Sequence, residues 1–263
     1  MTEQSEADSV VDTSVPHSAR IWNYWLGGKD NYRVDREAGD EYAKLYPDIV
    51  FMAQAARGFL SRGVHHLAAE VGIRQFLDIG TGLPAAENTH EVALRAAPEC
   101  RVLYVDNDPL VLTHARAILT GPVSDRVGYI DADVHRPESI LEAARERLDF
   151  DQPIALMLMG ILGHVDSYEE ARSIVARLLE PLPAGSHLVL YESTDGDEQL
   201  QAAQQGYDDG GSVPYRLRDL DQVRGYFDGL DLLEPGIASC SHWRVSSPPE
   251  REAMTFGGIG RKP

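Results

Sequence analysis

The segment FLDIGTGLPAAENTH, residues 76–90, constrains this chain more than any other. A short apolar run ends in Asp78-Ile79-Gly80-Thr81-Gly82, and a helix is expected after it. Glycines at the end of a buried strand allow a tight turn and bring backbone N–H groups close to a ligand. The apolar run and the helix then recur. Residues 75–80, 101–106, 126–131, 153–159 and 187–192 read as strands. Helices are expected up to Ala97, where Pro98 stops the first, and over residues 109–119, 137–148 and 167–179. Continuous apolar strands alternating with helices predict an α/β fold with a parallel sheet covered on both faces. Further on, helices are expected at 197–205 and 217–227, and GLDLLEPG reads as a sixth strand. Trp243 and residues 253–259 are expected to supply a final strand returning beside it.

The glycine loop suits two nucleotides. Gly80-x-Gly82-x-x-Ala85 satisfies the dinucleotide fingerprint in its alanine form. Three details favour S-adenosylmethionine over NAD. Asp78 lies at the strand's end, where it can face a cationic amino group and would repel a pyrophosphate. Pro84 removes an N–H that a dinucleotide would want free. About 75 residues precede this strand, whereas many dinucleotide domains begin with it. Asp106, ending the second strand, has the spacing of a carboxylate that binds both ribose hydroxyls. Its competing role, capping the next helix, falls better to Asp108, which adjoins Pro109. Asn107-Asp108 offers no arginine for a 2′-phosphate. Asp133, after the third strand, is placed for the adenine amino group, with the Val134 N–H for the ring. Thr81, Asn107 and Gly160 complete the candidate cofactor residues on the sheet side.

Upstream, residues 1–15 are polar, acidic and aperiodic, and a disordered tail is expected there. Residues 16–72 form a helical extension and 73–263 the nucleotide-binding domain in this reading. Ser18 is a plausible N-cap for a short helix bearing Ile21, Trp22, Trp25 and Leu26 on one face. Gly27-Gly28 would end it, Asp30 or Asn31 would cap a second helix, and Pro47 would separate that from a third over residues 48–71.

The string RIWNYWLGGKDNYRVDR within residues 19–36 resembles the signature of a mostly actinobacterial S-adenosylmethionine-dependent methyltransferase family, catalogued as a domain of unknown function. FLDIGTGLP with Asn88-Thr89-His90-Glu91, YVDNDP, the Asp131-Ala132-Asp133 step and the closing LEPG…W and GGIGRKP extend the resemblance over residues 15–263. The resemblance implies a Rossmann-like class I methyltransferase sandwich: a seven-stranded, mostly parallel sheet of order 3-2-1-4-5-7-6 behind an N-terminal helical extension. It implies no acceptor. The chain departs from the family after the fourth strand: members tend to carry an apolar stretch and a histidine pair, and residues 159–165 here read MGILGHV.

Ligands of an open parallel sheet sit outside the carboxyl ends of its strands, and the N-terminal motif is expected to fold over that edge. Tyr24, Lys29, Asn31 and Tyr32 are then candidates for closing the site over the cofactor, against the alternative that the motif packs core and caps helices. His164, after the fourth strand, is the candidate general base, with His90 and His135 weaker ones. The sequence lacks the Asn/Asp-Pro-Pro-aromatic tetrad of nucleic-acid amino methyltransferases. Its 24 basic and 42 acidic residues, net −18, repel nucleic acid at long range. A small-molecule acceptor is therefore expected. Residues 195–234, with ten acids and three arginines, read as a solvated face or, alternatively, as a lid favouring a cationic substrate. A non-catalytic binder of S-adenosylmethionine or S-adenosylhomocysteine and an NAD-dependent oxidoreductase are the competing functions. Cys100 and Cys240 have no metal-type spacing, no apolar run approaches the ~18 residues of a membrane helix, and the start lacks a secretory pattern. No metal, no membrane partner and a cytoplasmic location are expected.

Overall fold

The structure, a computed structural model, describes residues 12–119, 123–210 and 213–263. Three helices come first. Helix α1 (Ser18–Trp25) is preceded by His17, whose extended backbone makes it the cap, so Ser18 is already helical. Gly27, at φ +77°, turns the chain out of it. Helix α2 (Arg33–Leu45) is capped at Tyr32 rather than at Asp30 or Asn31, because Asp35 reaches back to accept the Tyr32 N–H at 2.8 Å. After Pro47, helix α3 (Ile49–His66) runs on into a π-helical turn, Leu67–Val71, and Gly72 at φ +87° ends it. Of the tail expected over residues 1–15, residues 1–11 lie outside the described residues. The Asp12 and Val15 carbonyls accept hydrogen bonds from the Arg20 guanidinium.

The alternation follows: β1 (Gln75–Ile79), α4 (Thr89–Ala96), β2 (Arg101–Asp106), α5 (Pro109–Leu119), β3 (Val127–Asp131), α6 (Pro137–Ala144), β4 (Ala155–Met159), α7 (Tyr168–Leu179) and β5 (His187–Ser193). Helices α8 (Glu198–Asp209) and α9 (Leu220–Gly225) lead to β6 (Asp231–Leu232), β7 (Ala238–Ser239) and β8 (Thr255–Arg261). Side-chain caps open several helices at the expected punctuation. Leu110 N donates to Asp108, Glu170 N to Ser167, Leu200 N to Asp197 and Gln222 N to Asp219.

The sheet order is β3-β2-β1-β4-β5-β8-β6, with β7 also paired to β8. Strands β1 to β5 run parallel, and β8 runs antiparallel between β5 and β6. This is the expected 3-2-1-4-5-7-6 arrangement with one two-residue strand more, giving eight strands. Trp243 joins no strand. It is fully buried in a turn, its ring edge-to-face with Phe59 at 5.1 Å.

Successive strand residues face opposite layers, as the pleat requires. Leu77, Leu103, Leu156 and Leu188 pack with Ile140, Ile174 and Val223 of α6, α7 and α9. Phe76, Val102, Met157 and Val189 pack with Phe59, Val64 and Val92 of α3 and α4. Each fully buried side chain of this kind stabilises the fold by roughly 1.5–3 kcal/mol. A third cluster joins α1, α2 and α3 to α8 through Ile21, Trp25, Tyr42, Met52 and Leu200. It forms a helical roof above the carboxyl ends of the strands. Among the described residues, no helix is long and apolar enough to cross a membrane.

Candidate functional site

Strand order reverses between β1 and β4, and the chain opens there into a cavity of about 380 Å³ between the strand ends and the helical roof. Asp78, Gly80, Thr81, Gly82, Asp106, Asn107, Asp133, Val134, Gly160 and His164 all line it. These residues lie on four separate strand ends, and the parallel register brings them together.

The loop after β1 is shaped by two left-handed glycines. Gly80 (φ +75°) has no room for a side chain: a Cβ there would sit 2.5 Å from Ile161 Cγ1. Gly82 (φ +64°) turns its N–H onto Asp106 Oδ2 at 2.9 Å, and Asp108 N donates to Asp106 Oδ1 at 3.0 Å. Asp106 is thereby held at the cavity, while Asp108 does the helix capping. Burial raises the Asp106 pKa, and those N–H bonds oppose the rise. Each carboxylate oxygen keeps a further lone pair for a ligand hydroxyl. Asp78 is buried and accepts from Thr89 Oγ1 at 2.6 Å. Burial pushes its pKa up to about 6, so a ligand cation beside it would favour its ionised form. Burial also acts to raise Asp133, but hydrogen bonds from the His135 N–H and ring, at 2.9 and 2.8 Å, outweigh it and hold the pKa low.

His164 follows a short turn, Leu162–His164, after Gly160. Its Nδ1 lies 3.0 Å from the Pro214 carbonyl oxygen, which can only accept, so the proton sits on Nδ1 and Nε2 is the basic nitrogen. Burial lowers its pKa, and the bond to Pro214 opposes that shift. Tyr215 stands edge-on to it at 5.2 Å and donates its hydroxyl to buried Glu192 at 2.8 Å. Glu192 also accepts the Leu162 N–H at 3.1 Å, which fixes the turn carrying His164. Burial lifts the Glu192 pKa to about 7. Of the weaker histidine candidates, His90 is turned onto the Tyr104 hydroxyl at 2.8 Å, and His135 is engaged by Asp133.

The N-terminal motif does something other than expected. Tyr24, Lys29, Asn31 and Tyr32 do not line the cavity. Tyr24 donates to Asp40 at 2.8 Å on the surface. Asn31 donates to Asn23 Oδ1 and to the Gly28 carbonyl, both at 3.0 Å. Tyr32 is 38% exposed, with the Arg20 guanidinium over its ring. The cause is the α2 cap, since capping at Tyr32 directs these polar groups into the motif's own turn. What lines the cavity from α1 is the other side of the helix: His17, Trp22, Asn23, Trp25 and Leu26. Asp35, fully buried, organises the motif by accepting His17 N at 2.9 Å, Arg20 Nε at 3.0 Å and Tyr32 N at 2.8 Å. Gly28 lies directly over the Asn23 amide, where a Cβ would come within 2.3 Å of Nδ2. Two histidines tie the roof to the sheet side: His17 Nδ1 is 3.0 Å from Asp108 Oδ2, and His114 Nε2 is 3.6 Å from Asp30 Oδ1.

The sequence reading missed Asn23, Arg57 and Glu192. Arg57, on α3, lines the cavity while donating to the Ala86 carbonyl and Asn88 Oδ1 at 2.8 and 2.9 Å. Its only signal was a lone arginine on an otherwise apolar helical face. Residues 195–234 contribute Gln204, Tyr207, Val213 and Tyr215 to the cavity lining but no carboxylate, so of the reading of that span only the preference for a cationic substrate is set aside. Asp208 there is engaged by Gln204, Tyr215 N and Arg216.

Comparison with known proteins agrees with this geometry. The family model described as S-adenosyl methyltransferase matches residues 4–263. A DUF574 family protein from Streptomyces avermitilis is 41% identical, with 96% of this chain and 99% of that chain covered and a TM-score of 0.91. A candidate methyltransferase from Thermobifida fusca YX is 37% identical over 95% and 96% of the two chains, with a TM-score of 0.89. An O-methyltransferase family protein from Burkholderia thailandensis shares the fold at 16% identity, with coverage of 88% and 60% and a TM-score of 0.53. No curated protein matches the sequence. The chain belongs to the S-adenosyl methyltransferase family, with a class I methyltransferase fold and S-adenosylmethionine as its cofactor.

Proposed function

We propose that the protein catalyses methyl transfer from S-adenosylmethionine to a small-molecule acceptor. The observation that carries this reading is His164: an imidazole with Nδ1 bound to Pro214 O, lining the same cavity as Asp78, Asp106 and Asp133. A purely binding protein has no need of a base there. Neither that alternative nor a nicotinamide enzyme gains support from the family or the fold.

The donor set suits the cofactor. Asp78 would hold the methionine amino group, Asp106 the ribose hydroxyls, and Asp133 with the Val134 N–H the adenine. When bound, the cofactor supplies a methyl group on a positively charged sulfur. The protein's share is to position the reactants, to exclude water beneath the roof, and to accept a proton at His164 Nε2 where the acceptor must lose one. The net charge of −18 argues against a nucleic-acid acceptor.

The test is to incubate the protein with methyl-labelled S-adenosylmethionine and a panel of phenols, amines and carbon acids. Label should pass to a low-mass product as S-adenosylhomocysteine forms. Cofactor binding without transfer to any of the panel would favour the non-catalytic reading, and label entering RNA or protein would remove the small-molecule clause.

A further inference from the structure

The cavity has two chemically different halves. Among the described residues, every carboxylate lining it lies at the strand ends: Asp78, Asp106, Asp108 and Asp133. The half built by the roof is mainly apolar and aromatic, with Trp22 and Trp25 from α1, Met52 and Leu60 from α3, and Tyr207 from α8; His17 and Asn23 are polar members of it without a carboxylate. Trp22 and Trp25 stand edge-to-face at 5.8 Å, and Trp25 leans on Tyr42 at 5.1 Å, so this wall is fixed by its own packing. The amides on this side are already engaged: Gln204 Oε1 accepts from the Tyr42 hydroxyl at 3.2 Å, and Asn23 Oδ1 accepts from Asp30 N and Asn31, each at 3.0 Å. Among the described residues the lone guanidinium reaching the cavity, Arg57, is engaged by Ala86 O and Asn88.

This arrangement discriminates among acceptors. A cationic amine would leave water for a wall without a counter-ion, and a carboxylate would find only an arginine already in use. A neutral aromatic body loses nothing there and gains apolar burial and ring contacts. His164 lines the same cavity, its ring against Tyr215. A base is required only where the attacking atom must shed a proton. A phenolic hydroxyl, with an ordinary pKa near ~10, is within reach of an imidazole, whereas an alcohol closer to water, at ~15.7, is not.

We infer that the acceptor is a neutral aromatic compound bearing a phenolic hydroxyl, its ring on the Trp22, Trp25, Met52 and Tyr207 wall and its hydroxyl at His164 Nε2. This rests on the methyltransferase reading and narrows it. In the step, the hydroxyl proton passes to Nε2 and the oxygen's electron pair forms the bond to the methyl carbon. The carbon–sulfur bond breaks with its pair kept by sulfur, leaving an aryl methyl ether, S-adenosylhomocysteine and a protonated His164.

The experiment is calorimetric titration of the full chain, saturated with S-adenosylhomocysteine, with 2-naphthol, 2-naphthoate and 2-naphthylmethylammonium. Naphthol is expected to bind at least tenfold more tightly than either ion. Tyr207→Ala, which removes wall area, and Met52→Trp, which fills the space, should each weaken naphthol at least fivefold while S-adenosylhomocysteine affinity stays within twofold. His164→Gln should keep naphthol affinity within twofold and abolish methyl ether formation with S-adenosylmethionine. Equal or tighter binding of either ion, or no binding of naphthol to the saturated protein, overturns the inference and leaves methyl transfer to another acceptor standing. Naphthol bound but not methylated by the unaltered protein with S-adenosylmethionine would overturn the phenol as acceptor.

Discussion

The floor and the roof of the cavity handle polarity in opposite ways. On the floor, Asp78, Asp106 and Asp133 come from three different strands, and each carboxylate lines the cavity. In the roof, the polar residues of one short motif turn toward each other: Asp35 takes His17, Arg20 and Tyr32, while Asn23 takes Asp30 N and Asn31. Both regions are dense in motif residues, yet the first turns its carboxylates to the cavity, while the second keeps its one buried carboxylate, Asp35, out of it. A crowded motif is therefore no evidence of contact with a ligand. What separates the two is whether the polar side chains line the cavity: the three floor carboxylates do, while Asp35, Asn31 and Tyr32 do not.

That contrast can be broken by substitution. The largest effect is expected in the roof. Asp35→Ala leaves Arg20 buried without its carboxylate and strips two N–H groups of their acceptor. Losing one partner of a buried pair costs about 3–5 kcal/mol. Thermal unfolding should therefore fall by roughly 6–20 °C at ~2–4 °C per kcal/mol. A normal melting temperature would mean that the hub is not structural.

Next comes the floor. Asp106→Ala should weaken S-adenosylhomocysteine binding by about 1.5–3 kcal/mol, the range of a hydrogen bond to a charged group. Calorimetry on the folded variant checks it, and unchanged affinity would withdraw the ribose assignment.

A third, smaller effect is pH dependence. Burial raises Asp78 from 3.8 to about 6 in the folded protein. The protonated form is the one that burial favours, so this contribution to stability is full below the unfolded value of 3.8 and is lost as pH rises through about 6. Cofactor binding runs the other way. The ligand's ammonium needs the carboxylate, so affinity should fall as pH drops below about 6, by up to tenfold per unit, with proton release on binding. A flat affinity from pH 5 to 7 would separate Asp78 from the ammonium.

The smallest effect sharpens the contrast from the roof side. Tyr24→Phe removes only the exposed bond to Asp40, so S-adenosylhomocysteine affinity should move by less than about 0.5 kcal/mol. A tenfold loss would return the motif to the ligand.

The sheet was readable because its determinants are local. Apolar runs five to seven residues long, Pro98 and Pro109 at helix ends, and the Gly80 and Gly82 turn act within a few positions. The floor residues followed, since strand ends in a parallel sheet must converge. The roof was not readable in the same way. Whether Asn31 caps a helix, reaches a cofactor or bonds Asn23 depends on a three-dimensional turn that Tyr32 and Asp35 decide. The His164 surroundings were also hidden. Tyr215 meets Glu192 across 23 residues, and Pro214 meets His164 across 50. No local pattern encodes such pairings.

The Asp35 hub has a thermodynamic consequence for recognition. Because the roof is held by partners inside the chain, its shape does not wait for a ligand. The loss of conformational freedom that builds the chamber belongs to folding, so a guest need not offset it on arrival. Encounter should then be governed by passage through the mouth of the chamber, and affinity by how well the guest matches walls already in place.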